Sequence, residues 1–264
     1  MEVKDKKIII TGAGSGIGKE LTKELLSKGA YVIALDISAS SLESLKAKLN
    51  NNRLSTYVVD VSKEEALKAF KIEYMNKEQV IDILINNAGI IQPFVNVEKL
   101  DDEAINRVMN INFYGPLNLT RLFIPELLKR SEGHIVNISS MGGFFPFPGQ
   151  TVYGASKAAL KIFTEGLYAE LLNTNVHVTV VFPGAVATNI ASNSNVSVGS
   201  EENSSYKALP AKDAAKIIIK GILKNKFQLY VGSDSKMMHM MYKMNPKKAI
   251  CYINKMMAKM ISKK

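Results

Sequence analysis

The stretch IIITGAGSGIGKEL at residues 8–21 decides the fold class of this chain. Its apolar opening predicts a short buried strand, and the glycine-rich turn after it lets the backbone bend sharply and approach a ligand closely. The helix that begins near Gly16 presents unpaired N–H groups and the positive end of its dipole, which suit a pyrophosphate. The spacing is T-G-x-x-x-G-I-G, because Ile17 stands where a G-x-G-x-x-G fingerprint counted from Gly12 requires glycine.

Apolar runs alternate with helix-length segments along the rest of the chain. The predicted strands are residues 7–10, 31–35, 55–60, 81–86, 134–139, 176–183 and 227–232. The predicted helices include residues 17–28, 41–50, 63–76, 117–130, 154–172 and 212–224. Strands separated by crossover helices pair in parallel. The sequence therefore predicts an α/β, Rossmann-type doubly wound parallel sheet of about seven strands, with helices on both faces.

Charge divides the chain into a body at residues 1–234 and a tail at 235–264. The chain has 264 residues and a net charge of +10, and the tail holds eight lysines and no acidic residue. We expect one domain that carries the site, followed by a basic, methionine-rich helical tail. The Ser-, Asn- and Gly-rich segment 190–210 is expected to be a mobile lid over the site.

The cysteine content of the chain fits a protein from a reducing compartment. Its single cysteine, Cys251, allows no intrachain disulfide. The N-terminal residues lack the long apolar core of a secretory signal, and no segment approaches the roughly 20 apolar residues needed to cross a bilayer. We expect a cytoplasmic protein, and no metal site.

Asp36 ends the second predicted strand, eighteen residues beyond Gly18. A carboxylate at this point accepts hydrogen bonds from ribose hydroxyls and repels a 2′-phosphate, so it favours NAD over NADP. A basic residue at position 15 or 37 would favour NADP, and these positions hold Ser15 and Ile37. The other interpretation is an aspartate that only caps the following turn.

Tyr153 and Lys157 lie four residues apart in YGASK, at the start of a predicted helix. Positions i and i+4 share one helix face, so the phenol and the ammonium can be neighbours. An opposite charge favours ionisation of a tyrosine, whose free pKa is about 10. We expect Lys157 to lower the pKa of Tyr153 so that the phenol exchanges a proton near neutral pH. The alternative is a surface tyrosine beside a solvated lysine.

Taken in order, these motifs resemble the short-chain dehydrogenase/reductase family, in its single-domain branch, over roughly residues 5–232. The resemblance rests on the glycine motif at 11–18, DV at 60–61, NNAG at 86–89, NINFYG at 110–115, NISS at 137–140, YGASK at 153–157 and PGAVAT at 183–188. Each motif is weak alone, but their order and spacing together are specific.

The resemblance implies hydride transfer between a nicotinamide cofactor and a secondary alcohol or ketone. The implied catalytic residues are Asn112, Ser140, Tyr153 and Lys157. Ser140 lies thirteen positions before Tyr153, the usual family interval, which selects it over Ser139. By the same resemblance, Ser140 bonds the substrate oxygen and Tyr153 exchanges its proton. Lys157 also bonds the nicotinamide ribose, and Asn112 holds a water that relays protons.

The resemblance also implies a cofactor site spread over several strand ends. Its residues are Thr11, Gly12, Ser15, Gly16, Ile17, Gly18, Asp36, Asp60, Val61, Asn87, Ala88, Gly89, Tyr153, Lys157, Pro183, Gly184, Val186 and Thr188. Asp60 matches the residue that binds adenine, and segment 183–188 matches the part that contacts the nicotinamide. The expected cofactor is NAD, with NADP disfavoured by Asp36.

The segment MGGFFPFPG follows Ser140 and brings aromatic rings beside the expected site. We expect Phe144 and Phe145 to line an apolar substrate cavity with Ser140 and Tyr153. Packing in the core or at a subunit contact is the alternative for both rings. The expected substrate is a small hydrophobic molecule, such as a hydroxysteroid or a fatty-acyl-like compound. Family members are usually homodimers or homotetramers.

The tail beyond Pro246 carries apolar and basic residues at helical spacing. The apolar positions are Ala249, Ile250, Ile253, Met256, Met257 and Met260, and the lysines on the other face are Lys248, Lys255, Lys259 and Lys263. This pattern predicts a basic amphipathic helix that contacts a membrane surface. Packing on the domain or on a second subunit is the alternative. No nucleic acid is expected, because the tail has few stacking aromatics and no arginine.

Two other functions remain beside an NAD-dependent oxidoreductase acting on CH–OH groups. One is an NADP-dependent 3-oxoacyl thioester reductase, which Asp36 disfavours. The other is a non-catalytic protein that senses dinucleotides or binds membrane surfaces. The presence of Ser140, Tyr153 and Lys157 argues against it, because binding alone has no chemical need for all three.

Overall fold

The centre of the molecule is a seven-stranded parallel sheet. The computed structural model describes residues 1–78, 80–194, 196 and 208–261. The strands of the sheet are β1 (Lys7–Thr11), β2 (Tyr31–Asp36), β3 (Leu54–Val58), β4 (Ile83–Asn86), β5 (Gly133–Ile138), β6 (Val176–Pro183) and β9 (Gln228–Val231). Their order, β3-β2-β1-β4-β5-β6-β9, confirms the predicted doubly wound architecture. Two short strands, β7 (Val186–Ala187) and β8 (Leu209–Pro210), form a separate parallel pair.

Helices connect the strands and cover both faces of the sheet. They are α1 (Gly16–Ser27), α2 (Ala39–Leu49), α3 (Glu64–Glu78), α4 (Asp102–Met109), α5 (Gly115–Leu127), α6 (Thr151–Glu170), α7 (Ile190–Asn193), α8 (Ala211–Leu223), α9 (Ser233–Met244) and α10 (Pro246–Ile261). The six helices predicted in the body are confirmed. Helix α4 was not predicted, and a π-helical turn at Asn110–Tyr114 joins it to α5.

The alternation of side chains along β1 builds one core on each face of the sheet. Ile8 and Ile10 point into a cluster with residues of α1 and α8, whereas Ile9 points into a cluster with residues of α3 and α5. All three isoleucines are fully buried. A strand buried on both faces needs apolar residues at every position, which explains the uninterrupted run in the sequence. Each such side chain contributes about 1.5–3 kcal/mol on burial.

The strand order changes direction at β1, which pairs with β2 on one side and with β4 on the other. The crossover connections leave in opposite directions from this point. Loops after the carboxyl ends of β1 and β4 therefore diverge and leave a crevice, which is where open α/β sheets bind ligands. The glycine motif follows β1 and NNAG follows β4, so both border the crevice.

The tail folds back onto the segment that follows β5. Helices α9 and α10 pack Met238, Ala249 and Ile253 against Phe145 in a third apolar cluster. Part of the stripe predicted to face a membrane is thus buried against the body, as the packing alternative expected. The helices described here include none with the length and apolar character needed to cross a bilayer.

Candidate functional site

The turn after β1 is shaped by glycines that no other residue can replace easily. Gly12 and Gly16 have φ angles of 65° and 50°, in the left-handed region that side chains disfavour. A Cβ at Gly18 would overlap the carbonyl oxygen of Gly12, so this glycine lets α1 pack directly on the turn. The motif therefore forms a backbone cradle at the first turn of α1.

The first turn of α1 is suited to an anion. Its N-cap residue, Ser15, makes no side-chain capping hydrogen bond, and the first turn contains no acidic residue. The Ser15 hydroxyl instead accepts a hydrogen bond from Asn193 at 2.8 Å. The first N–H groups of a helix lack intrahelical partners and lie at the positive end of its dipole. The cradle and this helix end fit the pyrophosphate of a dinucleotide.

The loops after β1 and β4 are held together by Thr11 and Asn87. The Thr11 hydroxyl accepts the backbone N–H groups of Asn87 and Ala88, both at 2.9 Å. The Asn87 amide donates to the carbonyl oxygens of Thr11 at 2.9 Å and Gly12 at 3.3 Å. These residues, predicted to bind cofactor, thus fix the width of the crevice.

Asp36 and Asp60 lie at the ends of adjacent strands on the same side of the crevice. The Asp36 carboxylate accepts N–H groups from Gly14 at 2.8 Å and Ser38 at 3.0 Å. The Asp60 carboxylate accepts both the N–H and the hydroxyl of Ser62. Asp36 therefore caps the turn that follows β2, as the other interpretation expected. Two oxygens carry about four acceptor positions, so Asp36 retains capacity for ribose hydroxyls.

The last predicted cofactor segment lies beyond β6 and closes the crevice from the other side. Pro183 ends β6, Val186 begins β7, and the Thr188 side chain lies 3.2 Å from the position of a Cβ on Gly16. Asp234, in the first turn of α9, accepts the Ala185 N–H at 2.7 Å.

Helix α9 thus anchors this segment directly. A Cβ at Gly184 would overlap the Asp234 carboxylate, so the glycine is what allows the carboxylate to approach. No sequence motif indicates the position of Asp234, because no local pattern shows that α9 returns to this loop.

Ser140 and Tyr153 meet where β5 and α6 approach each other. The Ser140 hydroxyl lies close enough to the Tyr153 phenol to act on its pKa, which it lowers, and it accepts the Gly142 N–H at 3.0 Å. The Tyr153 ring packs so closely on Gly142 that a Cβ there would lie 3.2 Å from it. Ser140 and Tyr153 are both partly accessible, as groups that contact a substrate must be.

The neighbouring Ser139 has a different environment. Ser139 is buried, and its hydroxyl donates to the backbone carbonyl of Lys157 at 2.8 Å. It connects β5 to α6 and does not reach the phenol. Ser140 is thus the serine beside the Tyr153 ring, and Ser139 holds the two elements together.

Lys157 is buried beneath this pair, with 3% of its surface exposed. Its ammonium donates to the carbonyl oxygen of Ile138, the last residue of β5, at 3.0 Å. Burial lowers the pKa of Lys157 to about 8. A lysine with this pKa is still mostly charged at pH 7, so the site contains a fixed positive charge.

The expected effect of Lys157 on the acidity of Tyr153 is not present in the protein alone. Burial raises the pKa of the Tyr153 phenol, and the opposing hydrogen bond from Ser140 is the smaller effect. The prediction that the lysine lowers this pKa is wrong for this state, because desolvation of the phenolate outweighs the favourable interactions. Tyr153 is held as a neutral phenol.

Asn112 lies in the π-helical turn and is completely buried. Its amide oxygen accepts the Ile90 N–H at 2.9 Å, and its amide nitrogen donates to the Ile90 carbonyl and to the Ser156 hydroxyl at 3.0 Å. A Cβ at Gly89 would lie 3.2 Å from the Asn112 amide oxygen and 3.0 Å from the Lys157 ammonium. Asn112 therefore borders Lys157, in a π-turn of the kind often found at functional sites.

The two phenylalanines predicted to line the substrate cavity have different surroundings. Phe145 is fully buried against Met238, Ala249 and Ile253 of the tail. The Phe144 ring contacts the rings of Phe182, Tyr230 and His239. Phe145 therefore packs in the core, as the alternative interpretation expected, because the tail helices cover it. Phe144 is half-buried, and its place in a substrate cavity stays a prediction. Residues 195 and 197–207 of the expected lid lie outside the described residues.

Comparisons with known proteins agree with this geometry. A family model described as short chain dehydrogenase matches residues 6–198. The 3-oxoacyl-[acyl-carrier-protein] reductase FabG of Thermotoga maritima is 37% identical over 190 residues, which cover 71% of this chain and 77% of the relative.

Solved structures of similar proteins contain either form of the nicotinamide cofactor. The 3-ketoacyl-(acyl-carrier-protein) reductase of Brucella melitensis, complexed with NADH, is 26% identical with a TM-score of 0.78, over 87% of this chain and 97% of that one. A short chain dehydrogenase of Burkholderia cenocepacia, in complex with NADP, is 25% identical with a TM-score of 0.81, over 96% and 99% of the two chains.

The two adjacent serines allow a matched test of the site. We expect Ser140→Ala to reduce turnover by about 100-fold or more, because one hydrogen-bond donor to a developing oxyanion is lost. Its melting temperature should stay near that of the wild type. Ser139→Ala should lower the melting temperature and retain turnover, since its hydroxyl bonds only a backbone carbonyl. Thermal denaturation and steady-state kinetics of both variants check this, and equal turnover losses would contradict it.

Proposed function

Because the chain belongs to the short-chain dehydrogenase family, we propose that it transfers a hydride between NAD and a hydrophobic secondary alcohol or ketone. The observation that carries the proposal is that the Tyr153 ring and the Ser140 hydroxyl both lie against Gly142, at the end of the strand to which the buried Lys157 ammonium bonds. NAD or NADP chemistry on CH–OH groups is the activity of the family. The preference for NAD and the class of substrate are the proposed parts.

When bound, the nicotinamide gives or takes the hydride. In the reducing direction the substrate oxygen gains negative charge, and Tyr153 donates its proton to it. Ser140 donates a second hydrogen bond to the same oxygen. The neutral phenol that the protein holds is the form that reduction needs, since a proton must be present before it can be donated.

In the oxidising direction Tyr153 must first lose its proton. We propose that the Lys157 ammonium, one turn further along α6, stabilises this phenolate together with the positive charge of an oxidised nicotinamide. Each unit of pKa corresponds to about 1.36 kcal/mol of preference for one protonation state. Asn112 borders the ammonium, and we propose that it orients a water there that exchanges protons with Lys157.

The Asp36 carboxylate supports the preference for NAD. Backbone N–H groups from Gly14 and Ser38 fix it at the edge of the crevice, so it cannot easily turn away from a ribose. A 2′-phosphate placed against it would be repelled. The residues at positions 15 and 37, Ser15 and Ile37, provide no positive charge to offset this repulsion.

The apolar neighbourhood of Ser140 supports a hydrophobic substrate. Met141 follows it directly and packs against the cluster that Phe145 forms with the tail. Within the family, identity to the FabG reductase favours a 3-oxoacyl thioester as the second candidate. Absorbance of the nicotinamide, measured over long and short ketones, alcohols and 3-oxoacyl thioesters, distinguishes the two. Greater activity on short polar ketones would contradict both.

The cofactor preference predicts the behaviour of one substitution. Asp36→Ser should raise kcat/KM for NADP at least about tenfold relative to that for NAD, because a repulsion of about 1.4 kcal/mol is removed. Glu43→Gln is the matched control. It removes an exposed carboxylate from α2, the helix that follows Asp36, and should leave the ratio unchanged. Comparable shifts in both variants would mean that net charge, and not the position of Asp36, sets the preference.

We also propose that α9 rests on an anionic membrane surface. Met237, Met240 and Met244 are 47%, 64% and 82% exposed and lie on one helix face by their spacing. Four exposed lysines accompany them, namely Lys236, Lys243, Lys247 and Lys248. Residues 235–264 contain no acidic residue that would oppose binding to negative headgroups.

Vesicle sedimentation tests this surface without removing the tail that covers Phe145. The double substitution Met240→Glu with Met244→Glu should weaken binding to phosphatidylserine vesicles at least about tenfold, since two apolar side chains no longer insert. Ile72→Glu makes the same change at a similarly exposed position on α3 and should bind normally. Equal binding of all three proteins would contradict the proposal. A change in oligomeric state of the Met variants would instead identify the methionine face as a contact between copies.

A further inference from the structure

Gln92 is a fully buried polar side chain that belongs to none of the sequence motifs. It lies three residues beyond Gly89, in the loop that follows β4. Sixty residues of sequence separate it from Val152, near the start of α6. A buried amide costs free energy unless its hydrogen bonds are made, so its partners show what it does.

The amide of Gln92 is bonded at both ends to the segment that begins α6. Its oxygen accepts the N–H of Val152 at 2.8 Å and the N–H of Tyr153 at 2.9 Å. Its nitrogen donates to the carbonyl oxygen of Gly149 at 3.0 Å. Its own backbone carbonyl accepts the side-chain amide of Gln150 at 2.8 Å.

These bonds replace a missing cap. The first N–H groups of any helix lack intrahelical partners, and the N-cap residue of α6, Gln150, makes no side-chain capping bond. Gln92 provides the acceptor from a distant loop. Because Tyr153 is the third residue of α6, one of the two N–H groups it fixes belongs to the catalytic tyrosine itself.

We propose that Gln92 is a positioning residue, which holds the backbone of Tyr153 so that its phenol meets Ser140. The inference rests on the proposed role of Tyr153. Gln92 acts through that residue and is too deeply buried to contact substrate. The Tyr153 ring already packs closely on Gly142, so a shift of the backbone would move the hydroxyl away from Ser140. A misplacement of about 1 Å at a reacting group can cost about 100-fold in rate.

The chain offers a matched control in Gln150, the buried glutamine at the N-cap of α6. The Gln150 amide donates to the carbonyl oxygens of Gln92 and Gly149, and none of its bonds goes to an N–H of α6. Its side-chain oxygen has no hydrogen-bond partner among the described residues. Substitution of either glutamine by methionine removes an amide and preserves length and volume. The two variants therefore differ mainly in the loss of the bonds to Val152 and Tyr153.

We expect Gln92→Met to lower kcat by about 10–100-fold with the KM for NAD unchanged, since the glycine cradle is untouched. Hydrogen exchange at the amides of Val152 and Tyr153 should accelerate. Gln150→Met should leave kcat unchanged, and the exchange of these two amides should stay as slow as in the wild type. Gln92→Glu keeps an acceptor at the positive end of the helix, so it should recover most of the lost rate.

Two results would overturn the inference. One is a Gln92→Met variant that melts earlier but turns over normally, which would make Gln92 only a structural residue. The other is an equal loss of kcat in both methionine variants, which would assign the effect to the whole contact between the loop after β4 and the start of α6. A wild-type protein without nicotinamide-linked turnover would count against the proposed function. Exchange at Val152 and Tyr153 would then still decide whether Gln92 holds this helix turn.

Discussion

A buried ammonium ion, that of Lys157, is the constraint around which the site is arranged. Charge in a protein interior is costly unless polar groups surround it, and here the partner is the carbonyl oxygen that ends β5. That bond fixes α6 against the end of the sheet. The same helix carries Tyr153 one turn earlier, so the position of the charge determines the position of the phenol. Burial gives the lysine a pKa of about 8, and the pKa of the tyrosine is raised.

The parallel sheet explains why residues so distant in sequence can share this site. All seven strands run the same way, so the segments after β1, β2, β4, β5 and β6 emerge at one edge. The reversal of strand order at β1 opens the crevice there. Hydrogen bonds between Thr11 and Asn87 then join the loops that border it, and Asp234 of α9 holds the loop after β6 in place. The proposed cofactor-binding and proton-transfer residues thus lie at one sheet edge.

Local patterns in the sequence predicted the fold and the residues at the strand ends. They could not predict the features that depend on long-range packing. Strands, helices and the glycine turn depend on nearby residues, so periodicity and spacing predicted them. The choice of Ser140 over Ser139 rests on the interval to Tyr153 that the family resemblance implies. Phe145 was misassigned because its environment comes from the tail, which nothing local places beside it. The predicted direction of the Tyr153 pKa shift was wrong, because the desolvation of its phenol depends on the whole fold.

The central claim is that Tyr153 is the group that exchanges a proton with the substrate oxygen while hydride is transferred. Stopped-flow measurement of hydride transfer by Tyr153→Phe, with NAD affinity measured in parallel, tests it most directly. The substitution removes one oxygen atom and preserves the ring that packs on Gly142. The account predicts a loss of about 10²–10⁴-fold in the rate of hydride transfer, with NAD binding unchanged. A variant that transfers hydride at the wild-type rate would contradict it.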